Sequence, residues 1–388
     1  MDFRAKLERL YAAMVNNDLD ALVYGTGANF QYFTGLPVTW RRMEEPAVPD
    51  CLLVLARDRS PRVVAAASCG MSCAERTAAA AVAVAFAEAV TFETVESRDG
   101  ILRLLRGLVK GKRVGTGLQA EKYLSGLIKE ALPDVECINA EALGEALRLQ
   151  KDGEEIAVLR RAAALTGRVM EIVVGSIRPG ITQPELRAKV QQAGLALGAQ
   201  DVSFSPAALF VKSGTAPTED PFVYPLDKGL LPGTSIAFDF GFLLDGYCSD
   251  FGRSFYCGSA PAHIAGAYRA LQESLCSLVG QMKPGQMTLG ELFGVMEAEM
   301  DRRGYGDRLR ARLKDGTLGH QIGVDLHENP WIRPGCDVVL QPGMVMALEP
   351  KAWLPGEYYL RVEDIVLITD DGAEFLTSFD RQLFELPV

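Results

Sequence analysis

The sequence predicts an α+β protein, with a large C-terminal region in which helices alternate with antiparallel strands and a smaller α/β domain in front of it. Two observations carry that expectation. The chain has 388 residues, beyond the size at which one hydrophobic core usually stops growing, so two domains are expected. The periodicity also changes near residue 150, which places one domain at 1–150 and the other at 151–388. Hydrophobic residues make up 48% and charged residues 23%, the profile of a globular chain rather than a disordered or fibrous one.

In the first part, Leu7, Leu10 and Met14 recur at helical spacing over Arg4 to Asn16. The short apolar runs Ala21 to Tyr24, Cys51 to Ala56 and Val63 to Ala67 read as strands, and Ile101 to Leu108 as a helix. Past residue 150, Glu154 to Val174 carries Ile156, Leu159, Ala163 and Met170 on one side and reads as one long amphipathic helix. Thr182 and Glu185, with Pro184 between them, have capping-box spacing and start a helix running to about Leu195. Ser235 to Phe240 and Gly246 to Tyr256 read as strands joined by an Asp245-Gly246 turn. Helices are expected over Ala262 to Met282 and Leu289 to Arg303. Val338 to Leu340, Met344 to Glu349 and Leu360 to Ile368 are expected as strands.

The net charge of −10, without a long basic run, lacks the footprint of a nucleic-acid binder. The most apolar stretch, Ala78 to Ala87, is too short to span a bilayer and reads as a packed segment. Eight scattered cysteines form neither a dense disulfide pattern nor CxxC pairs, so reduced, mostly buried thiols are expected. The N-terminus shows no signal-peptide pattern, and a cytoplasmic location is expected. Small or cationic ligands fit better, with neither nucleic acid nor membrane as partner.

Four acids stand out because they interrupt apolar strand-like runs: Asp239, Asp250, Glu349 and Glu363. Strand residues alternate faces, so Asp239 would share a side with Ala237 and Gly241 while Phe238 and Phe240 face a core. A buried, unpaired carboxylate costs several kcal/mol, and a metal ion offsets that cost. Alone, each such acid is more often salt-bridged or on an edge strand. Together with a Gly-rich segment that places His320 and His327 seven residues apart, four of them point to a shared metal site. The third histidine, His263, falls at a helix start and is expected at the surface.

The order Asp239, Asp250, then Gly319-His320-Gln321-Ile322-Gly323 with His327-Glu328-Asn329-Pro330, Glu349-Pro350 and Arg361-Val362-Glu363-Asp364 resembles that of the creatinase, prolidase and aminopeptidase P family. The resemblance covers essentially 151–388, including Gly246-Tyr247, Arg253 and Leu340 to Met344. Leu19 to Leu22 and Asn29 to Gly35 resemble the family's N-terminal accessory domain. It implies a "pita-bread" catalytic domain and a metallohydrolase, specifically an Xaa-Pro dipeptidase or aminopeptidase P-like enzyme. It further implies two divalent ions, manganese or zinc ahead of iron or cobalt. Asp239 would chelate one ion, His320 and Glu349 the other, and Asp250 and Glu363 would bridge both. Glu349 would shuttle a proton, His327 would hydrogen-bond the reacting carbonyl, and Arg361 would orient Glu363 or a neighbour.

The family usually carries a Pro-His pair before its first metal-binding aspartate; here that place holds Pro221-Phe222. Phe222 is therefore expected to line a more apolar substrate pocket, with Tyr247 also at the substrate. That departure admits two alternatives, a non-peptidase enzyme resembling creatinase, ectoine hydrolase or the sulfonium lyases, and a metal-free binding protein. Family dimers bring an accessory-domain loop to the partner's active site. A homodimer is accordingly expected, with Trp40 or one of the arginines, Arg41 or Arg42, approaching the other subunit's metal site, and Trp40 and Arg41 expected to bind substrate.

Overall fold

The computed structural model describes residues 1–36, 51–57, 59–66, 91–95, 97–117 and 121–388. Trp40, Arg41, Arg42 and the apolar segment 78–87 lie outside the described residues. The chain divides into two compact units, Met1–Arg148 and Leu149–Val388.

The first unit contains α1 (Phe3–Asn16), β1 (Ala21–Gly25), α2 (Ala28–Thr34), β2 (Cys51–Ala56), β3 (Arg59–Ala66), β4 (Thr91–Val95), α3 (Arg98–Leu108), β5 (Arg113–Thr116), α4 (Glu121–Ala131), β6 (Glu136–Asn139) and α5 (Glu141–Arg148). Its six strands form one mixed sheet in the order β4-β3-β2-β1-β5-β6. Ala21, Val23, Leu52 and Val54 on the sheet pack against Ile101, Leu102, Leu105, Leu124, Leu127 and Ile128 on α3 and α4. This is the α/β core that the alternating apolar runs anticipate.

The second unit opens with α6 (Gly153–Val174) and α7 (Gln183–Ala196). Both begin with capping boxes, Asp152 with Glu155 and Thr182 with Glu185, which satisfy two otherwise orphaned N–H groups at each helix start. Next come β7 (Asp201–Val202), β8 (Ala207–Lys212), β9 (Thr234–Phe240), β10 (Phe242–Leu244), β11 (Tyr247–Cys248) and β12 (Phe251–Cys257). The helices α8 (Ala262–Gln281), α9 (Glu291–Arg302) and α10 (Gly306–Arg312) lie between these strands and the last group. That group is β13 (Gly319–Gln321), β14 (Glu328–Ile332), β15 (Val345–Leu348), β16 (Lys351–Leu354), β17 (Tyr358–Arg361), β18 (Asp364–Ile368), β19 (Ala373–Phe375) and β20 (Phe384–Leu386).

These strands build a four-stranded sheet β20-β12-β9-β8 and a five-stranded sheet β14-β13-β15-β18-β19, with a three-stranded sheet β11-β10-β7 and a two-stranded ribbon β16-β17 beside them. Behind β9 and β12 lies a phenylalanine layer in which Phe238, Phe240, Phe251 and Phe255 meet edge to face. All four are fully buried, each stabilising the fold by about 1.5–3 kcal/mol.

Three expected strands differ in the structure. The run from 246 to 256 is two strands in different sheets, because Ser249 turns inward: its hydroxyl accepts the Phe242 N–H at 2.9 Å and meets Thr166 Oγ1 at 2.7 Å. The Asp245-Gly246 turn closes β10 and β11 with positive φ at both residues, 46° and 80°, the twist a two-residue hairpin requires. The run from 360 to 368 splits at Val362-Glu363, where the chain passes from the ribbon to the five-stranded sheet. Val338 to Leu340 is no strand. Its backbone bonds go to the Gly285 to Leu289 segment, with only an isolated bridge from Thr288 to Val339.

Candidate metal centre

Asp239 stands on β9 between Ala207 of β8 and Gly252 of β12. Both cross-strand neighbours are small, which lets the Arg361 and Glu363 side chains approach the carboxylate, while Phe238 and Phe240 on the opposite face are fully buried. Asp250, Glu349 and Glu363 occupy the gaps where one strand hands over to the next, between β11 and β12, after β15, and between β17 and β18. Glu363 is fixed through its backbone, its N–H donating to Gly252 O at 2.9 Å. Gly252 itself has no room for a side chain, since a Cβ there would lie 2.4 Å from Arg361 Cδ and 2.9 Å from Glu363 Oε2.

Carboxylate oxygens of Asp239, Asp250 and Glu363 all lie within 4.8 Å of one another. His320 on β13 extends the group, its Nε2 lying 3.4 Å from Asp250 Oδ2. Its Nδ1 is 2.9 Å from Gln321 O. A carbonyl can only accept, so in the neutral ring Nδ1 carries the proton and the Nε2 lone pair faces the acids, the tautomer of a metal ligand. Arg361 closes the other side, with Nη1 on Glu363 Oε2 at 2.9 Å, an ion pair to Asp239, and Nη2 3.5 Å from Glu349 Oε2. Lys351 also pairs with Glu349 Oε2.

The electrostatics ask for cations. Burial, followed by the neighbouring carboxylates Asp239 and Glu349, holds Asp250 well above the usual carboxylate range. Burial and then Asp250 do the same to Glu363. Glu349 is the exception: burial pushes it up, but Lys351, Arg361 and His320 together outweigh burial and bring it to about 2. Two acids driven toward the neutral form beside an imidazole lone pair make a donor set that divalent cations would ionise and stabilise.

His327 is brought to the same place, its ring 4.5 Å from that of His320 and nearly perpendicular to it. Burial, ahead of the neighbouring His320 ring, lowers its pKa, which favours the neutral imidazole. Trp331 stacks on His327 with centroids 5.2 Å apart and meets His320 edge-on at 5.3 Å. Behind the acids runs a buried charge network. Arg253 Nη1 donates to Glu363 O at 2.7 Å and Nη2 to Asp364 Oδ1 at 2.6 Å, and Arg381 completes the carboxylate of Asp364.

Two expected substrate residues sit differently. Tyr247 is buried and its hydroxyl donates to Glu155 Oε1 on α6 at 2.8 Å. The tyrosine is thus tied to the helix start by a buried hydrogen bond. Phe222 is 44% exposed. Its ring meets Tyr359, two residues along β17 from Arg361, with the Arg312 guanidinium 5.7 Å from the ring centre. His263 is half exposed at the start of α8, near Glu357. Lys351 and Trp331 were not singled out in the sequence. Lys351 follows Glu349 by two residues, a spacing that could have signalled it; Trp331 carried no signal beyond nearness to His327.

The sequence model of metallopeptidase family M24 matches residues 157–370, and that of the creatinase/prolidase N-terminal domain matches residues 6–150. The chain belongs to metallopeptidase family M24. As an M24 member it is 32% identical over 259 residues to YkvY of Bacillus subtilis, which carries the name of a dipeptidase; the match covers 67% of this chain and 69% of that protein. The uncharacterized peptidase YqhT of the same organism is 27% identical over 76% of this chain and 82% of its own length. Among solved structures, an Xaa-Pro dipeptidase from Bacillus anthracis superposes with a TM-score of 0.82 at 23% identity, over 99% of this chain and 100% of that one. The dipeptidase PepE from Mycobacterium ulcerans gives 0.80 at 24% identity, over the full length of both. At these identities the structures show a shared fold, the two-domain pita-bread architecture that the motif order implies.

Proposed function

We infer that this M24 member is a two-metal hydrolase of short peptides or small amides, with Xaa-Pro dipeptides as the first substrate class to test. The observation that carries this reading is the convergence of Asp239, Asp250 and Glu363, with His320 and Glu349 at its edge. A binding-only scaffold gains nothing from four carboxylates around one space. The names carried by its relatives point the same way.

In this reading Asp239, Asp250, His320, Glu349 and Glu363 would hold two divalent ions, manganese or zinc ahead of iron or cobalt. When bound, the ions supply the Lewis acidity that activates water and polarises the scissile carbonyl. Neutral His327 donates an N–H to the carbonyl oxygen as negative charge develops there, and Trp331 fixes the plane of its ring. Glu349, ionised at neutral pH, accepts the proton from water and returns it to the leaving nitrogen. Arg361 restrains Asp239, Glu349 and Glu363 together.

The Arg312 guanidinium near the Phe222 ring already supplies a cation on that side, which supports the peptide reading over a quaternary or sulfonium substrate. The reading extends to a homodimer working in the cytoplasm; monomers alone in sedimentation at micromolar concentration would remove that part. The hydrolase itself is tested by assaying Xaa-Pro dipeptides and small amides with manganese, zinc, iron or cobalt added singly. Metal-dependent hydrolysis that a chelator abolishes is expected. No turnover of any of these by the metal-loaded protein would overturn the reading.

A further inference from the structure

Lys351 is a buried cation to which the hydrolase reading gives no role. It begins β16 directly across from Arg361 on β17. Cross-strand partners project to the same face, so an ammonium and a guanidinium stand side by side at the acid cluster. Both residues are 7% exposed.

Their commitments differ. Arg361 divides its nitrogens among Asp239, Glu363 and Glu349. Among the described residues, Lys351 Nζ has one hydrogen-bond partner, Oε2 of Glu349. An ammonium held out of water needs a nearby anion, and Glu349 is the acid expected to turn its oxygens to a metal ion.

The formal charges of the loaded site do not cancel. Asp239, Asp250, Glu349 and Glu363 carry four negative charges, and Arg361 and Lys351 return two. Two divalent ions would leave two positive charges in excess, an imbalance that favours an anionic ligand. Lys351 is the group beside the acids whose partner the metal would take away.

We propose that Lys351 is a specificity-determining residue that binds the carboxylate of the substrate, so that this enzyme selects peptides with a free C-terminal carboxylate over amides. The proposal rests on the two-metal hydrolase reading. The ammonium is a compact point charge with three donors. It can release Glu349 and hold a substrate oxygen without moving its backbone. The competing role, in which Lys351 only neutralises Glu349, predicts no discrimination between substrate carboxylate and amide.

The test compares the wild type, Lys351→Met and Lys351→Arg, each loaded with manganese and checked for metal content and folding. With Ala-Pro and its C-terminal amide as substrates, the wild type should prefer the acid. Lys351→Met should reduce that preference by about tenfold or more, through a higher KM for the acid. Lys351→Arg, which keeps the charge, should retain part of it. Calorimetry of propionate against propionamide binding gives the same comparison without turnover, and it decides the matter even if no Xaa-Pro dipeptide is cleaved. The proposal is overturned if Lys351→Met keeps the acid-over-amide ratio, or if propionate binds it as well as it binds the wild type. Should Lys351→Met not fold, Lys351→Gln replaces it, and a wild type that binds propionate no better than propionamide overturns the proposal by itself.

Discussion

At the scale of single residues, the site is a set of charges that tolerate one another only through cations. Asp250 and Glu363 are the two acids held toward their neutral forms, so they feel the cluster most. Removing either, as in Asp250→Ala or Glu363→Ala, should abolish tight metal binding in a calorimetric titration and lower kcat/KM by about a thousandfold or more, since an activated water is lost with the ions. Full activity in either variant would refute the two-metal assignment. These acids were conspicuous in the sequence because each breaks an apolar run. Lys351 was not, because a lysine beside a proline and a strand start reads as ordinary surface until its burial is known. Trp331 likewise gains meaning only from the His327 ring beneath it.

At the scale of elements, the helices behind the site were the easiest to foresee. Their capping boxes and 3.6-residue periodicity are local, and local rules act without knowledge of the partner. What joins α8 to α9 was not visible. Glu299 on α9 accepts from Ser277 and Gln281 on α8 at 2.8 and 2.9 Å and pairs with Arg302 and Arg303. Arg303, ahead of the opposing effect of burial, lowers its carboxyl from 4.5 to about 2. A depressed folded-state value adds stability above the unfolded value, and that stability is lost as pH falls from 4.5 toward 2. Glu299→Gln should therefore cost about 1–3 kcal/mol at pH 7, and the gap from wild type should narrow through that window in urea unfolding measured against pH. A gap that stays constant from pH 7 to pH 2 would contradict the role given to this carboxylate. Strand boundaries were harder to read: 246–256 and 360–368 each look continuous, yet Ser249 and Glu363 mark handovers between sheets that only the neighbouring strands define.

At the scale of the whole molecule, metal binding and folding stability should be linked. The ligands come from β9, β13 and three junctions between other strands, so an ion that binds the folded chain alone stabilises it by mass action. Manganese at about a hundred times its dissociation constant should add roughly 2.7 kcal/mol per site, seen as a higher unfolding midpoint that a chelator reverses. An unchanged midpoint would mean that the ions do not bind this arrangement. The sequence by itself determined the fold class, the two-part plan, the helices and the identities of the five candidate ligands. Those rest on residue type, periodicity and motif order, properties written along one dimension. Only the tertiary structure decided the rest. It turned Tyr247 to Glu155 and set Arg312 near the Phe222 ring. It opposed Asp239 with Ala207 and Gly252, which lets Arg361 reach the carboxylate, and it buried Lys351 across from Arg361. Each of these depends on which strand lies next to which, and the free energy that fixes such pairing comes from contacts between residues far apart in the chain, as between Glu155 and Tyr247 or Arg253 and Glu363, which no local pattern records.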